Sequence, residues 1–187
     1  MPCLLVRDAL VALLELTNFR NLSEERRPLI NRTLIERYAA GASVPGAAIR
    51  GLTAAELNAF PVPGTWSIQQ IVVHLMDSDL IGSDRMKRVA AENTPPQLIG
   101  YDETAFAKNL YYDKLDPVQA CEVFRLNRLL TATVLHNLPE AAFERHGMHS
   151  ERGRETLLEL LEDYADHLDH HLKFIKEKRK LLGKPLA

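Results

Sequence analysis

The chain predicts an all-α fold, a bundle of four long helices with an additional helical segment at the N-terminus. Three observations carry this. Apolar residues recur at spacings of three and four, as in Leu157, Leu161, Tyr164, Leu168 and Ile175. Helix-start signals stand before the periodic runs, and Pro/Gly clusters stand after them. No convincing alternation of apolar and polar residues marks a strand.

At the N-terminus, residues 4–19 are apolar enough for a short helix. Arg7, Asp8 and Glu15 interrupt that run and no basic start precedes it, so it reads as a helix rather than a signal peptide. Residues 18–28 are polar and form a connector. A helix follows over about 29–49, disturbed at Gly41, Pro45 and Gly46. Thr53-Ala-Ala-Glu56 has capping-box spacing and opens a short helix, which Pro61, Pro63 and Gly64 end. Ser67-Ile-Gln-Gln70 repeats that signal and opens a long helix to about Glu92, before Pro95 and Pro96.

Residues 97–115 are a long connection with a short helix near Glu103 to Lys108. Asp116-Pro-Val-Gln119 sets an Asp N-cap with Pro at the first helical position, and that helix runs to about Leu138. A polar link through His146, Gly147 and Gly153 leads to the last helix, about Arg154 to Leu182, stopped by Gly183 and Pro185.

Composition bounds the function. The chain has 187 residues, 46% hydrophobic and 26% charged, enough for one domain with a real core. A net charge of −2 gives no electrostatic footprint for nucleic acid. The basic residues Lys173, Lys176, Lys178, Arg179 and Lys180 suit a helix C-terminus. No apolar run is long enough for a membrane span. The two cysteines, Cys3 and Cys121, form no paired motif, which fits a reducing cytoplasm. Cys121 reads as a small apolar packing residue.

Three of the seven histidines fall within five residues of the last helix, at His167, His170 and His171. One turn brings positions four apart onto one face, so His167 and His171 can offer two nitrogens to one ion. Against the apolar stripe, His171 lies roughly 40–50° from its centre, His167 roughly 80–100°, and His170 about 150°. Helix phase therefore selects His167 and His171 and turns His170 to solvent. A third ligand is needed for a convincing site. His74 is the best candidate, on the flank of the stripe Ile68, Ile71, Val72 and Leu75. His146 and His149, in a Gly-containing loop, are the rival set, and His136 is assigned to its helix end.

Position alone singles out further groups. Asp77 is three residues from His74 and could orient its ring, although a surface carboxylate is the plainer reading. Asp77, Asp163 and Asp166 are candidate acids or bases. Arg125 and Arg128 could bind an anionic substrate group, although surface ion pairs are commoner.

The Gly64-Thr-Trp66-Ser67 lead-in, the His74-Leu75 dipeptide and the His167-x-x-His170-His171 cluster together resemble the DinB-like (DinB/YfiT-like) superfamily of four-helix-bundle metalloproteins. The resemblance covers about residues 30–182, which sets a domain over 30–187 and an N-terminal extension over 1–29. It implies a divalent-metal site, with zinc, nickel, iron or manganese all admissible, held by His74, His167 and His171. A further coordination position would remain for water or a small-molecule substrate. It also implies a homodimer, and either of two activities: metal-dependent hydrolysis, or metal-dependent transfer of a low-molecular-weight thiol. A non-catalytic binding or regulatory bundle is the remaining alternative.

Overall fold

The computed structural model describes residues 27–186. The helix expected over residues 4–19 lies outside these residues, as does most of the extension assigned to 1–29. Seven helices and three short strands are present among them: α1 (Arg27–Ala40), α2 (Val44–Ile49), α3 (Ala54–Leu57), α4 (Ile68–Ala91), β1 (Gln97–Leu98), α5 (Glu103–Asn109), α6 (Pro117–His136), β2 (His146–His149), β3 (Gly153–Thr156) and α7 (Leu157–Leu181). The long helices α1, α4, α6 and α7 form the bundle, with α1 and α4 each packed against both α6 and α7.

The start signals work through hydrogen bonds. The Ser67 hydroxyl accepts the Gln70 N–H at 3.2 Å, and the Gln70 side chain accepts the Ser67 N–H at 2.9 Å. The same reciprocal pair closes α3 through Thr53 and Glu56. Asp116 accepts from the backbone N–H groups of Val118 and Gln119. The disturbance expected at Gly41 is a 3₁₀ turn over Gly41–Ser43 between α1 and α2. A Cβ at Gly41 would fall 2.6 Å from a Leu168 methyl and 2.7 Å from an Arg128 nitrogen, so only glycine lets α7 and Arg128 approach.

Two expectations are corrected. Residues 97–98, 146–149 and 153–156 form a small sheet, with β1 parallel to β2 and β2 antiparallel to β3. Strands of two to four residues are too short to display an alternating pattern. The last helix starts at Leu157 rather than near Arg154, because Thr156 and Glu159 form its capping box.

The core runs the length of the bundle. One end gathers Ile68, Ile71, Val72, Leu75, Phe124, Leu168 and Ile175; the other gathers Tyr38, Met86, Leu98, Leu135, Leu157 and Leu161. Arg128 lies between them, 1% exposed. Its guanidinium pairs with Asp79 at 2.8 Å. It therefore neither sits at the surface nor faces a substrate, the two roles position alone suggested. Arg125 does make a surface ion pair, with Glu122. Cys121 is buried and its thiol is pushed up to about 12, first by burial and then by Asp116, so it packs rather than reacts. No helix among the described residues is long and apolar enough to cross a membrane.

Candidate metal centre

Helices α4 and α7 face each other, and their histidines meet between them. His74 Nε2 lies 3.1 Å from His167 Nε2. One ligand atom from each of His74, His167 and His171 can be chosen so that all lie within 4.8 Å of one another. Two nitrogens on one tetrahedral zinc stand about 3.3 Å apart, given bonds of about 2.05 Å. The His74–His167 pair is already near that separation.

Burial follows the helix-phase argument on α7: His171 is buried, His167 half-buried and His170 exposed. His74 departs from its expected flank position and is fully enclosed, at 0% exposed. The reason is Trp66. Placed just before the Ser67 N-cap, its ring lies 4.9 Å from the His74 ring and stacks nearly parallel on His171 at 6.5 Å. The Gly64-Thr-Trp66-Ser67 motif thus supplies a turn with Gly64 at φ +75°, a hydrophobic cover and a helix start in sequence.

Enclosure sets the charge state. Burial, then the His171 ring, pulls His74 down to about 3. Burial, then His171 and His74, pulls His167 to about 3. Burial, then His170, pulls His171 to about 4. All three imidazoles are neutral near pH 7, each with a lone pair to offer. The Nδ1 atoms of His74 and His171 are buried without a hydrogen-bond partner. A buried, neutral, nitrogen-only donor set that is short of partners fits a divalent transition ion.

The remaining candidates are elsewhere. His146 and His149 lie on β2, not in a loop, and their odd separation sends them to opposite faces. His136 ends α6 and is exposed. Asp77 accepts the Tyr112 hydroxyl at 2.6 Å and so serves the connection, not the His74 ring. Asp163 pairs with Arg152 at 2.8 Å and Asp166 with Arg37 at 2.6 Å.

The carboxylate nearest the cluster is one that sequence reasoning missed. Glu103 Oε2 lies 3.9 Å from His74 Nε2. It opens α5, which the Asp102 cap starts and the connection folds over the cluster. Gln69 fixes that connection by donating to the carbonyls of Tyr112, Asp113 and Leu115. Desolvation, then Asp102, raises the Glu103 carboxyl above its usual range. Nothing in the local sequence separates Glu103 from any other first-turn glutamate. A cavity of about 390 Å³ opens beside these groups, bounded by Tyr101, Glu103, Tyr164 and His167.

Fold and site together define a class: a four-helix bundle with a metal-compatible trio of imidazoles between two facing helices. The chain belongs to the DinB superfamily, whose model matches residues 46–175. It is similar to a protein of Bacillus licheniformis provisionally named a metal-dependent hydrolase, 33% identical over 121 residues, which are 64% of this chain and 68% of that one. It is similar in the same way to YfiT of Bacillus subtilis, 27% identical over 137 residues, 73% of this chain and 76% of that one. The solved structure of YfiT is described as an unusual four-helix-bundle topology. It superimposes with a TM-score of 0.73 at 25% identity, covering 87% of this chain and 91% of that one. A mycothiol-dependent maleylpyruvate isomerase superimposes with a TM-score of 0.57 at 15% identity, covering 83% and 61%, a likeness of fold alone.

Proposed function

We propose that this protein is a metal-dependent hydrolase in which His74, His167 and His171 hold one divalent cation. The observation that carries the reading is the convergence of three neutral imidazoles, two buried and one half-buried, beside a cavity that reaches His167. The relatives provisionally named metal-dependent hydrolases support it. A divalent ion held there would acidify a coordinated water and polarise a substrate oxygen.

The chain's own groups supply the rest. Trp66 covers the His74 and His171 rings, and the cavity of about 390 Å³ reaches the trio at His167, where water and substrate would approach. Glu103 is placed to take a proton there. Its raised carboxyl brings its pKa closer to neutrality, which suits a group that accepts and then returns a proton. Among the described residues the Cys121 thiol is buried and supplies no nucleophile to the cavity.

The reading extends to a homodimer. Val123, Leu126 and Leu130 lie on one face of α6 and are 41%, 53% and 63% exposed. Such a stripe gains stability when covered.

The test is a turnover screen of metal-loaded protein on ester and amide substrates, with and without added low-molecular-weight thiol and electrophile. Hydrolysis lost in His74→Ala, His167→Ala and His171→Ala is the expected result. Glu103→Gln should lower kcat by about 10² to 10⁴ with metal content unchanged. Turnover only when thiol is present would replace hydrolysis by S-transfer. Stoichiometric metal without turnover of any substrate would leave a binding module.

A further inference from the structure

Arg85 is a buried cation without a buried anion. It lies on α4 about three turns beyond His74 and is 6% exposed. One terminal nitrogen donates to the Tyr164 hydroxyl at 3.0 Å and the other to the Ile99 carbonyl. Both acceptors are neutral, and the Arg85 Nε–H, itself buried, meets no acceptor. Among the described residues no carboxylate pairs with it. Of the other buried arginines, Arg128 has Asp79 at 2.8 Å. Arg179 also has no carboxylate among the described residues, but its Nε–H is met by the Lys184 carbonyl and a terminal nitrogen by those of Ala48 and Arg50. Arg85 differs in its unmet Nε–H beside a cavity. A buried cation with an unmet N–H beside a cavity points to an acceptor brought from outside, and an anion answers both the charge and the N–H.

The outside is at hand. Arg85 bounds the same cavity of about 390 Å³ that His167 bounds. Tyr164 stands between them, its hydroxyl on Arg85 and its ring 6.4 Å from the His167 ring. His149, buried in the cavity wall, adds a donor. Its Nδ1 accepts the Glu151 backbone N–H at 3.2 Å, so the neutral ring carries its proton on Nε2.

We propose that Arg85, helped by His149 Nε2–H, docks a carboxylate of the substrate. The substrate is then a small carboxylic acid whose second, reacting group reaches the His167 end of the cavity. This inference rests on the metal-dependent reading for the reacting end only.

The remaining wall favours a single negative charge. Glu103, Glu151, Asp163 and Asp166 also face the cavity. Arg152 is shared by Asp163 and Glu155, and Arg37 by Asp166 and Asp169, so those acids are only partly offset and Glu103 and Glu151 add to the repulsion of an anion. A doubly charged phosphate meets that repulsion twice over. A planar monoanion matches the guanidinium with less of it.

The test uses benzoate, benzamide and inorganic phosphate as probes on metal-stripped, full-length protein. The thermal midpoint and the Arg85 Nε–H resonance, assigned by its loss in Arg85→Lys, are followed as each probe is added. Benzoate should raise the midpoint by a few degrees and move the resonance, and benzamide and phosphate should do neither. Arg85→Met should weaken benzoate by about tenfold or more while binding metal as wild type does. His74→Ala should lose metal and keep benzoate, so failure of the metal reading is seen separately. Equal responses to benzoate and benzamide, preference for phosphate, or undiminished benzoate binding in Arg85→Met would overturn the proposal. If Arg85→Met does not fold, the wild-type resonance titration decides alone.

Discussion

Arg128 Nε lies 2.8 Å from Asp79 Oδ1, with the two side chains 1% and 2% exposed. The pair ties the four long helices together. Arg128 on α6 reaches Asp79 on α4, the Tyr38 carbonyl on α1 at 3.3 Å and the Tyr164 carbonyl on α7 at 2.6 Å. The Tyr38 and Phe124 rings cover the guanidinium at 4.3 and 4.5 Å. Asn127 and the Tyr38 hydroxyl donate to Asp79, so its charge is compensated as well as paired. Tyr164 is one turn from His167, which places this knot directly beneath the histidine cluster.

Removing one partner strands the other charge in the core. Asp79→Ala should destabilise the fold by about 3–5 kcal/mol, read as a fall in the urea midpoint. A loss below about 1 kcal/mol would mean that the guanidinium finds compensation elsewhere.

Metal content tests the trio against its neighbour. Elemental analysis of wild type and His170→Ala should show one divalent ion per chain, and His74→Ala, His167→Ala and His171→Ala should show little. His170 is exposed and is not one of the three converging rings, so equal loss from His170→Ala and His171→Ala would contradict the geometry.

Acid should destabilise the metal-stripped protein. Burial holds His74 and His167 down to about 3 and His171 to about 4, against 6.5 for a free imidazole. Between these limits the unfolded chain binds more protons than the folded one. The stability is therefore fully present above about pH 6.5 and drains away as the pH falls towards 4 and 3. Urea midpoints measured from pH 7.5 to 4.5 should fall, and His167→Gln should flatten the curve. A wild-type profile that stays level would sink the idea.

Self-association should depend on the apolar face of α6. Leu126 is 53% exposed at the middle of that stripe. Leu126→Glu should yield a monomer by light scattering with its helical spectrum intact. A wild-type monomer at micromolar concentration would dispose of the dimer.

Helix starts were legible because capping is local: Ser67 with Gln70, Thr53 with Glu56 and Asp116 with Pro117 each act within one turn. Even the corrected start of α7 was written locally, in Thr156 and Glu159. The sheet was not legible, since β1 and β2 are brought together across nearly fifty residues of chain. Among the histidines, helix phase alone ordered 171, 167 and 170 by burial.

The sequence by itself determined the four long helices, the His167–His171 face and the membership signalled by Trp66 and His74, because these depend on periodicity and spacing. Only the tertiary structure decided that His74 is enclosed, that Arg128 belongs to Asp79, that Arg85 lacks an anion, and that Glu103 overhangs the cluster. Each of those is a relation between helices far apart in the chain. Burial and charge pairing arise from packing, and no spacing within a single helix encodes them.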